Sequence, residues 1–368
     1  MIPYRSSLKA LIPLILFISC AFAAVAAPAV APAAPAAIPA VPRTLDIPDG
    51  ALVAAGPAPE LDILYTGDVI GYLEDCGCHL NPAGGLSRRA WLSNQLQANY
   101  PSTPLVLFDS GNFSDVPTDK GDLRTATLLQ SMKRLGYNAI NIGERDLTLG
   151  YDDFVKRTES LGMNFISTNI VKQGTKDPVF TPFVIVNLFG ASKKPVRIGV
   201  LGVARYNPVW QKAGPAGSNL GLASPADMIA TYLPQLRKDS DIVVLLASLS
   251  KEDAHDLAKR FTDIDLILGS YGGVFNTVEE TEGSVRIYYT GNQGKRIGES
   301  RIAMDAKRRV TDVTSYLHFL TIRYPEDKGM ADSLAAVIEQ TKPAKPVEPK
   351  KPTTLQPTAV AAPADGGH

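Results

Sequence analysis

Leu61-Asp62-Ile63-Leu64-Tyr65-Thr66-Gly67-Asp68-Val69-Ile70-Gly71 is the stretch whose reading decides the fold. It opens as a short apolar run, the pattern of a strand covered on both faces, and then breaks at a glycine and an acid. The same arrangement recurs downstream. Leu105-Val106-Leu107-Phe108 runs into Asp109-Ser110-Gly111-Asn112-Phe113, and Ala139-Ile140-Asn141-Ile142 into Gly143-Glu144-Arg145-Asp146. Further runs are Ile198 to Val203, Ile242 to Leu246, which leads into Ala247-Ser248-Leu249, and Leu266 to Leu268, which leads into Gly269-Ser270-Tyr271-Gly272. A last motif, Tyr289-Thr290-Gly291-Asn292-Gln293-Gly294-Lys295-Arg296, turns on glycines.

Between these runs the period becomes helical. Leu128, Met132 and Leu135 share one face, and Gly136 sits where a C-terminal cap belongs. Ser224-Pro225 reads as an N-cap and first turn, with Asp227 in the capping-box position and Ile229, Leu233 and Leu236 on one stripe. Ser250 caps a helix whose stripe is Ala254, Leu257, Ala258 and Phe261. Val285 to Thr290 and Arg309 to Leu320 read as successive strands without helices. This order predicts a layered α/β domain. Ligands of such sheets collect at strand ends, where the motifs lie.

In order and spacing the motifs resemble those of the calcineurin-like metallophosphoesterases, in the 5′-nucleotidase branch. The family pattern runs D-x-H, G-D, G-N-H-E, S-H, I-D-x-I-x-G-H-x-H, then a strand with a glycine turn. The resemblance covers Leu61 to Met304. It implies an α/β fold of two face-to-face mixed sheets flanked by helices, a four-layer sandwich. It also implies a two-metal centre that activates water and clamps phosphoryl oxygens. Here the ligands depart from the pattern. Asp68 matches the first aspartate, but Ile70 stands at the first histidine and Asn112 at the bridging aspartate. Glu144 and Arg145 replace the asparagine and histidine of G-N-H-E. Ser248 replaces the next histidine, and Ser270 and Gly272 replace the final pair. Asp68, Asn112 and Glu144 are the remnants of the ligand set.

The chain has four histidines, none at a ligand position of the resemblance. His368 lies in the tail, His255 is expected to be solvated beside its helix stripe, and His318 to be packed in a late strand. Only His79 is near a motif. Arg145 stands where the family has a histidine facing the scissile phosphate. A fixed cation there can hold a small anion without metal, or it pairs with Glu144, Asp146 or Asp109, which is the expectation. Gly84-Gly85-Leu86-Ser87-Arg88-Arg89 opens a helix nearby, a weaker anion candidate with one of its arginines expected in solvent.

The loop after the first motif reads Glu74-Asp75-Cys76-Gly77-Cys78-His79-Leu80. The chain has three cysteines, and the third, Cys20, lies in the N-terminal leader, so whatever Cys76 and Cys78 do is local. The loop is expected near the family's metal site. Three readings stay open. In the first, one thiol attacks a disulfide partner and the other resolves the product. His79 or Asp75 then tunes the thiolate, while the charges of Glu74 and Asp75 blunt it. In the second, Cys76, Cys78 and His79 bind one soft metal ion, with Asp68 as a fourth ligand. In the third, a static disulfide pins the loop. The loop is similar to the Asp-Cys-Gly-Cys loop of some exported 5′-nucleotidase relatives, some with selenocysteine, which implies redox work.

The remaining features bound the setting. Arg5 and Lys9 precede the apolar run Leu11 to Ile18, the layout of a secretory signal over residues 1–27. Ala21-Phe22-Ala23 offers cleavage after Ala23. Leu16-Phe17-Ile18-Ser19-Cys20 offers the alternative of lipidation at Cys20. An Ala/Pro-rich linker spans 28–60, the phosphoesterase-like body 61–325, a C-terminal helix 326–341 and a Pro-rich tail 342–368. Little chain follows Leu320, so the family's second, nucleotide-binding domain is not expected. Lysine plus arginine and aspartate plus glutamate both number 37, which removes any global pull toward nucleic acid. The sequence therefore predicts an exported protein, periplasmic or lipid-anchored facing the periplasm, that meets the membrane only through such an anchor. Its partner would be a redox protein or a small anion, its cofactor none or a single transition metal. Thiol redox is expected in place of conventional metal-dependent hydrolysis, with an altered-site phosphoester hydrolase and a binding module as alternatives.

Overall fold

The computed structural model describes residues 44–45, 52–53, 56–189, 195–205, 207 and 219–342. The leader with Cys20, most of the linker and the Pro-rich tail lie outside the described residues. In chain order the elements are β1 (Thr44–Leu45), β2 (Leu61–Thr66), α1 (Leu86–Asn99), β3 (Leu105–Asp109), α2 (Asp119–Leu135), β4 (Tyr137–Asn141), α3 (Tyr151–Thr158), β5 (Phe165–Ile166), β6 (Ile170–Lys172) and β7 (Phe183–Leu188). There follow β8 (Val196–Ala204), β9 (Leu220–Leu222), α4 (Pro225–Asp239), β10 (Ile242–Ser248), α5 (Lys251–Arg260), β11 (Leu266–Gly269), β12 (Glu280–Glu282), β13 (Val285–Tyr289), β14 (Arg296–Met304), β15 (Val310–Phe319) and α6 (Lys328–Thr341).

Two mixed sheets form the body. The first has the order β1-β15-β14-β2-β3-β4-β5 and the second β12-β13-β11-β10-β8-β7. Strands β2 to β5 run parallel, as do β13, β11, β10 and β8, and antiparallel strands flank both sets. Alternation within each apolar run assigns its two faces. In β10, Ile242, Val244 and Leu246 face β2 and β3 through Ile63, Tyr65, Val106 and Phe108. Val243, Leu245 and Ala247 face the stripes of α4 and α5. On the outer face of the first sheet, Leu64 and Leu107 meet Leu92, Leu128, Met132 and Leu334 from α1, α2 and α6. The result is four layers, helix-sheet-sheet-helix, as expected. Each fully buried leucine or isoleucine in these layers contributes about 1.5–3 kcal/mol relative to exposure.

The caps show why the helices start and stop where they do. Thr118 accepts from the Gly121 amide at the head of α2, and Gly136 ends it with φ of 78°, a left-handed cap that suits glycine. Ser224 and Ser250 cap α4 and α5 as read. Only half of the expected capping box forms, because the Asp227 carboxylate turns to Lys176 at 3.3 Å instead.

Element bounds and sheet membership add detail to the sequence reading. Strand β4 begins at Tyr137, directly after the Gly136 cap. The segments read as successive strands without helices are β13 and β15, with β14 between them; β13 lies in the second sheet, and β14 and β15 in the first. Helix α3 was not read from the sequence, since only Phe154 and Thr158 of it are buried.

Candidate functional site

The C-terminal ends of β2, β3 and β4 meet those of β10 and β11 at one edge. Asp68, Asn112, Ser248 and Ser270 are brought together there, none more than 3% exposed. Asn112 sits at the centre. Its Nδ2 donates to Asp68 Oδ1 at 2.8 Å and to Ser248 Oγ at 3.1 Å. Its Oδ1 accepts from the Arg145 backbone N–H at 3.0 Å, which fixes the orientation of the amide. Ser270 Oγ is 2.8 Å from Asp68 Oδ1 and 3.0 Å from the Gly111 carbonyl. Burial pushes the Asp68 carboxyl above its usual range, against the hydrogen bonds of Asn112 and Ser270 and the nearby charge of Arg145.

The backbone here is unusual. Asp68, Ile70 and Asn112 hold φ values of 48°, 53° and 61°, and a β-branched residue in that region is an outlier. Each such residue costs on the order of 1–3 kcal/mol and persists only where its surroundings over-determine it. The bonds that do so are Asp68 N to Gly111 O at 2.9 Å, Ile70 N to Asn112 O at 3.1 Å and Gln293 N to Asp68 O at 2.7 Å. Gly67 is required as well, because an added Cβ would stand 2.6 Å from that of Ser270.

Two buried acids brace the cluster. Asp146 accepts the backbone N–H groups of Asn112, Gly143 and Ser114 at 2.8–2.9 Å, and burial pushes its carboxyl up to about 7. Asp109 accepts from Thr66 Oγ1 and the Gly111 amide, and burial pushes it up to about 6. Tyr137 links Thr66 to Arg89 through bonds of 3.0 and 3.1 Å. The expectation that one of Arg88 and Arg89 is solvated is overturned. Both are buried, Arg89 under this network and Arg88 against Asp75, Glu326 and the Gly84 carbonyl.

The expected ion pair of Arg145 does not form. Glu144 pairs with Arg205 at 3.4 Å, and Asp146 and Asp109 are occupied as described. Among the described residues Arg145 has no carboxylate partner, and its Nε is buried without a hydrogen-bond acceptor. His255 is only partly solvated: it lies between Glu280 and Glu282 at 2.9 and 2.8 Å. His318 is packed, fully buried against Glu299 at 2.6 Å.

The cysteines lie on a separate hairpin. Asp75 bridges Gly84, and Cys76 N donates to Ala83 O at 2.9 Å. No bond joins the two cysteines in the structure, and their sulfurs face one another 2.6 Å apart, closer than unbonded sulfurs rest and a short step from a disulfide. Residues 77–80 at the tip are exposed, Leu80 completely. Burial works against ionisation of the Cys76 thiol, yet the Cys78 hydrogen bond, backbone amides and Lys295 hold it below its ordinary value. The exposed Cys78 thiol is raised, chiefly because it donates to Cys76. The expected blunting survives in part: the charge of Asp75, 3.6 Å from Arg88, still helps to raise Cys78, while Arg124 clasps Glu74 in two bonds of 3.1 and 2.7 Å. The structure does not bring His79 to the thiols as a ligand set. Among the described residues no three of His, Cys, Asp and Glu converge to hold a metal ion.

The sequence reading gives Lys295 no site role, Asp146 only that of a possible partner of Arg145, and Arg89 only a place in the helix-start anion candidate. Asp146 and Lys295 stood inside the quoted motifs, and Arg89 at the helix opening, but only the tertiary contacts reveal what each touches.

No family profile matches the chain. The 2′,3′-cyclic-nucleotide 2′-phosphodiesterase/3′-nucleotidase of Haemophilus influenzae is 26% identical over 213 residues, covering 53% of this chain and 32% of that protein. This chain thus spans about a third of the length of the curated relatives it matches. Among solved structures, a 5′-nucleotidase precursor from Thermus thermophilus superposes with a TM-score of 0.62 at 20% identity, covering 76% of this chain and 58% of that one. The calcineurin-like phosphoesterase YfkN from Bacillus subtilis gives 0.63 at 18% identity, covering 77% and 98%. The fold is that of the calcineurin-like phosphoesterases, and the motif resemblance points to the same superfamily.

Proposed function

We propose that this chain is an exported phosphoesterase-fold domain in which thiol–disulfide chemistry at Cys76 and Cys78 replaces two-metal hydrolysis. The observation that carries the reading is the pair of sulfurs 2.6 Å apart on an exposed hairpin, placed to join as a disulfide. An oxidising compartment, which the leader implies, is where such a pair meets disulfides. The loss of the metal centre is supported by the donor set. Asn112 aims N–H donors at Asp68 and Ser248, and a donor hydrogen occupies the direction in which a ligand lone pair would have to point. These residues do not fit a pair of metal ions.

Cys76, with the more acidic thiol, attacks as thiolate on a partner disulfide. One sulfur of the partner leaves as thiolate and the other stays bound to Cys76. Cys78 then loses its proton, attacks Cys76 and releases the second thiol. The dithiol becomes a disulfide, and the partner gains two electrons and two protons.

The test is a thiol titration across a graded dithiothreitol series, with mass measurement of a Cys78→Ser variant. The expected results are a two-electron transition and a mixed disulfide trapped on Cys76. Inert thiols, or two transition-metal ions per chain with phosphodiester turnover, would overturn the reading in favour of an altered-site hydrolase.

A second reading rests on Arg145, whose buried Nε has no acceptor. Leaving such a donor unpaired costs about 1–3 kcal/mol, and a small oxyanion beside it would remove that cost. Binding of inorganic phosphate or sulfate that disappears in Arg145→Gln checks it, and unchanged binding refutes it.

A further inference from the structure

The charges around the thiol pair are unevenly cancelled. Glu74 is held by Arg124, and Asp75 by Arg88 and the Gly77 amide. Lys295, by contrast, has no carboxylate partner among the described residues. Backbone bonds fix its position relative to the hairpin. Leu320 N donates to Lys295 O at 3.0 Å, Gly84 N to Leu320 O at 2.9 Å and Cys76 N to Ala83 O at 2.9 Å. Ala83 also bridges Thr321. The start of β14 and the thiol hairpin are therefore stitched to the same short segment, 320–321. The Lys295 charge reaches both sulfurs.

We propose that Lys295 is a specificity-determining residue for the thiol pair, selecting disulfides that carry a carboxylate close to the S–S bond. The inference rests on the thiol–disulfide reading above. Attack of a thiolate on an anionic disulfide brings like charges together, and an ammonium carried on the segment stitched to the hairpin offsets that repulsion. It gives no such help to a neutral disulfide and repels a cationic one. The exchange itself is unchanged: the Cys76–Cys78 bond forms, the partner S–S bond breaks, and two thiols carrying carboxylates leave.

The test uses the reduced full chain and three probes: dianionic 3,3′-dithiodipropionate, neutral bis(2-hydroxyethyl) disulfide and dicationic cystamine. Each rate is divided by that of the same probe with dithiothreitol. The expected order is anionic, neutral, cationic, with about a three- to tenfold preference for the anionic over the neutral probe at an ionic strength of about 0.01 M, collapsing toward unity at about 1 M. Lys295→Gln should abolish the order and Lys295→Arg keep it. The contacts of residue 295 to the hairpin are made by its backbone, and equal thermal melts for the two variants check that the fold is undisturbed. Exchange at equal normalised rates with all three probes, or a preference that survives in Lys295→Gln, overturns this inference and leaves the redox reading standing. No exchange with any probe overturns both.

Discussion

Two groups of polar residues sit on the chain segments around the ends of β2, and they behave in opposite ways. In the cluster of Asp68, Asn112, Ser248 and Ser270, the donors of the Asn112 amide and of Ser270 find acceptors inside the protein, and all four side chains are out of water. In the hairpin from Asp75 to Gly84, the two sulfurs meet chiefly one another, and the tip is exposed. A satisfied buried network rigidifies and specifies a fold, and it has little capacity left for a ligand. A pair of nucleophiles whose chief partner is each other keeps its capacity to react. The order of motifs along the chain marks where a site lies. Which groups remain available is decided by what each hydrogen bond already does.

That contrast can be broken by substitution. Asn112→Asp should have the largest effect on stability. It replaces two donors by a carboxylate facing Asp68, so that two buried acids must share a proton. The expected loss is about 3 kcal/mol, greater at alkaline than at mildly acidic pH, read by urea unfolding. Wild-type stability in this variant would show that the cluster is wet and open. Gly67→Ala comes next, at about 1–3 kcal/mol, because its methyl group would press on Ser270; an unchanged melting temperature would mean that the strand ends give way easily.

His255 offers a smaller and pH-dependent effect. Burial lowers its pKa, but the bonds to Glu280 and Glu282 outweigh this and raise it above 6.5. A histidine raised in the folded state binds more protons folded than unfolded. Its contribution is therefore complete below the unfolded value and is lost as pH rises through the folded one. His255→Gln should remove about 0.5–1 kcal/mol in mild acid and almost nothing in alkali; a loss independent of pH would refute the ionic account. Cys78→Ser should be the quietest, within about 0.5 kcal/mol of wild type, while it still stops release of a mixed disulfide. A large stability loss there would mean that the hairpin is structural after all.

The sequence exposed the layers more fully than the site. Runs such as Ile242 to Leu246 are apolar on both faces, so their burial between two layers could be read directly. Ser224, Ser250 and Gly136 announced helix ends because capping is local. The motif order placed Asp68, Asn112, Ser248 and Ser270 at strand ends, where they lie. Arg88 and Arg89 could not be read, because an arginine at a helix start looks solvated until Tyr137 and Glu326 are known to cover it. Lys295 was illegible for the same reason. Its nearness to Cys76 depends on the Ala83–Thr321 bridge, which joins segments far apart in the chain.

The left-handed backbone of Ile70 has a consequence for the order of assembly. Its N–H is held by the Asn112 carbonyl, and Asn112 is in turn fixed by groups from β10 and the loop after β4. Contacts of such long range form only after the loops between them have closed. This corner should then be unformed at the folding barrier and set last. Ile70→Asn, which tolerates the left-handed region better, should leave the refolding rate unchanged and slow unfolding about two- to fivefold. The strand ends would then be a latch that closes on a body already built, and its wear would show in how long the protein lasts rather than in how fast it folds.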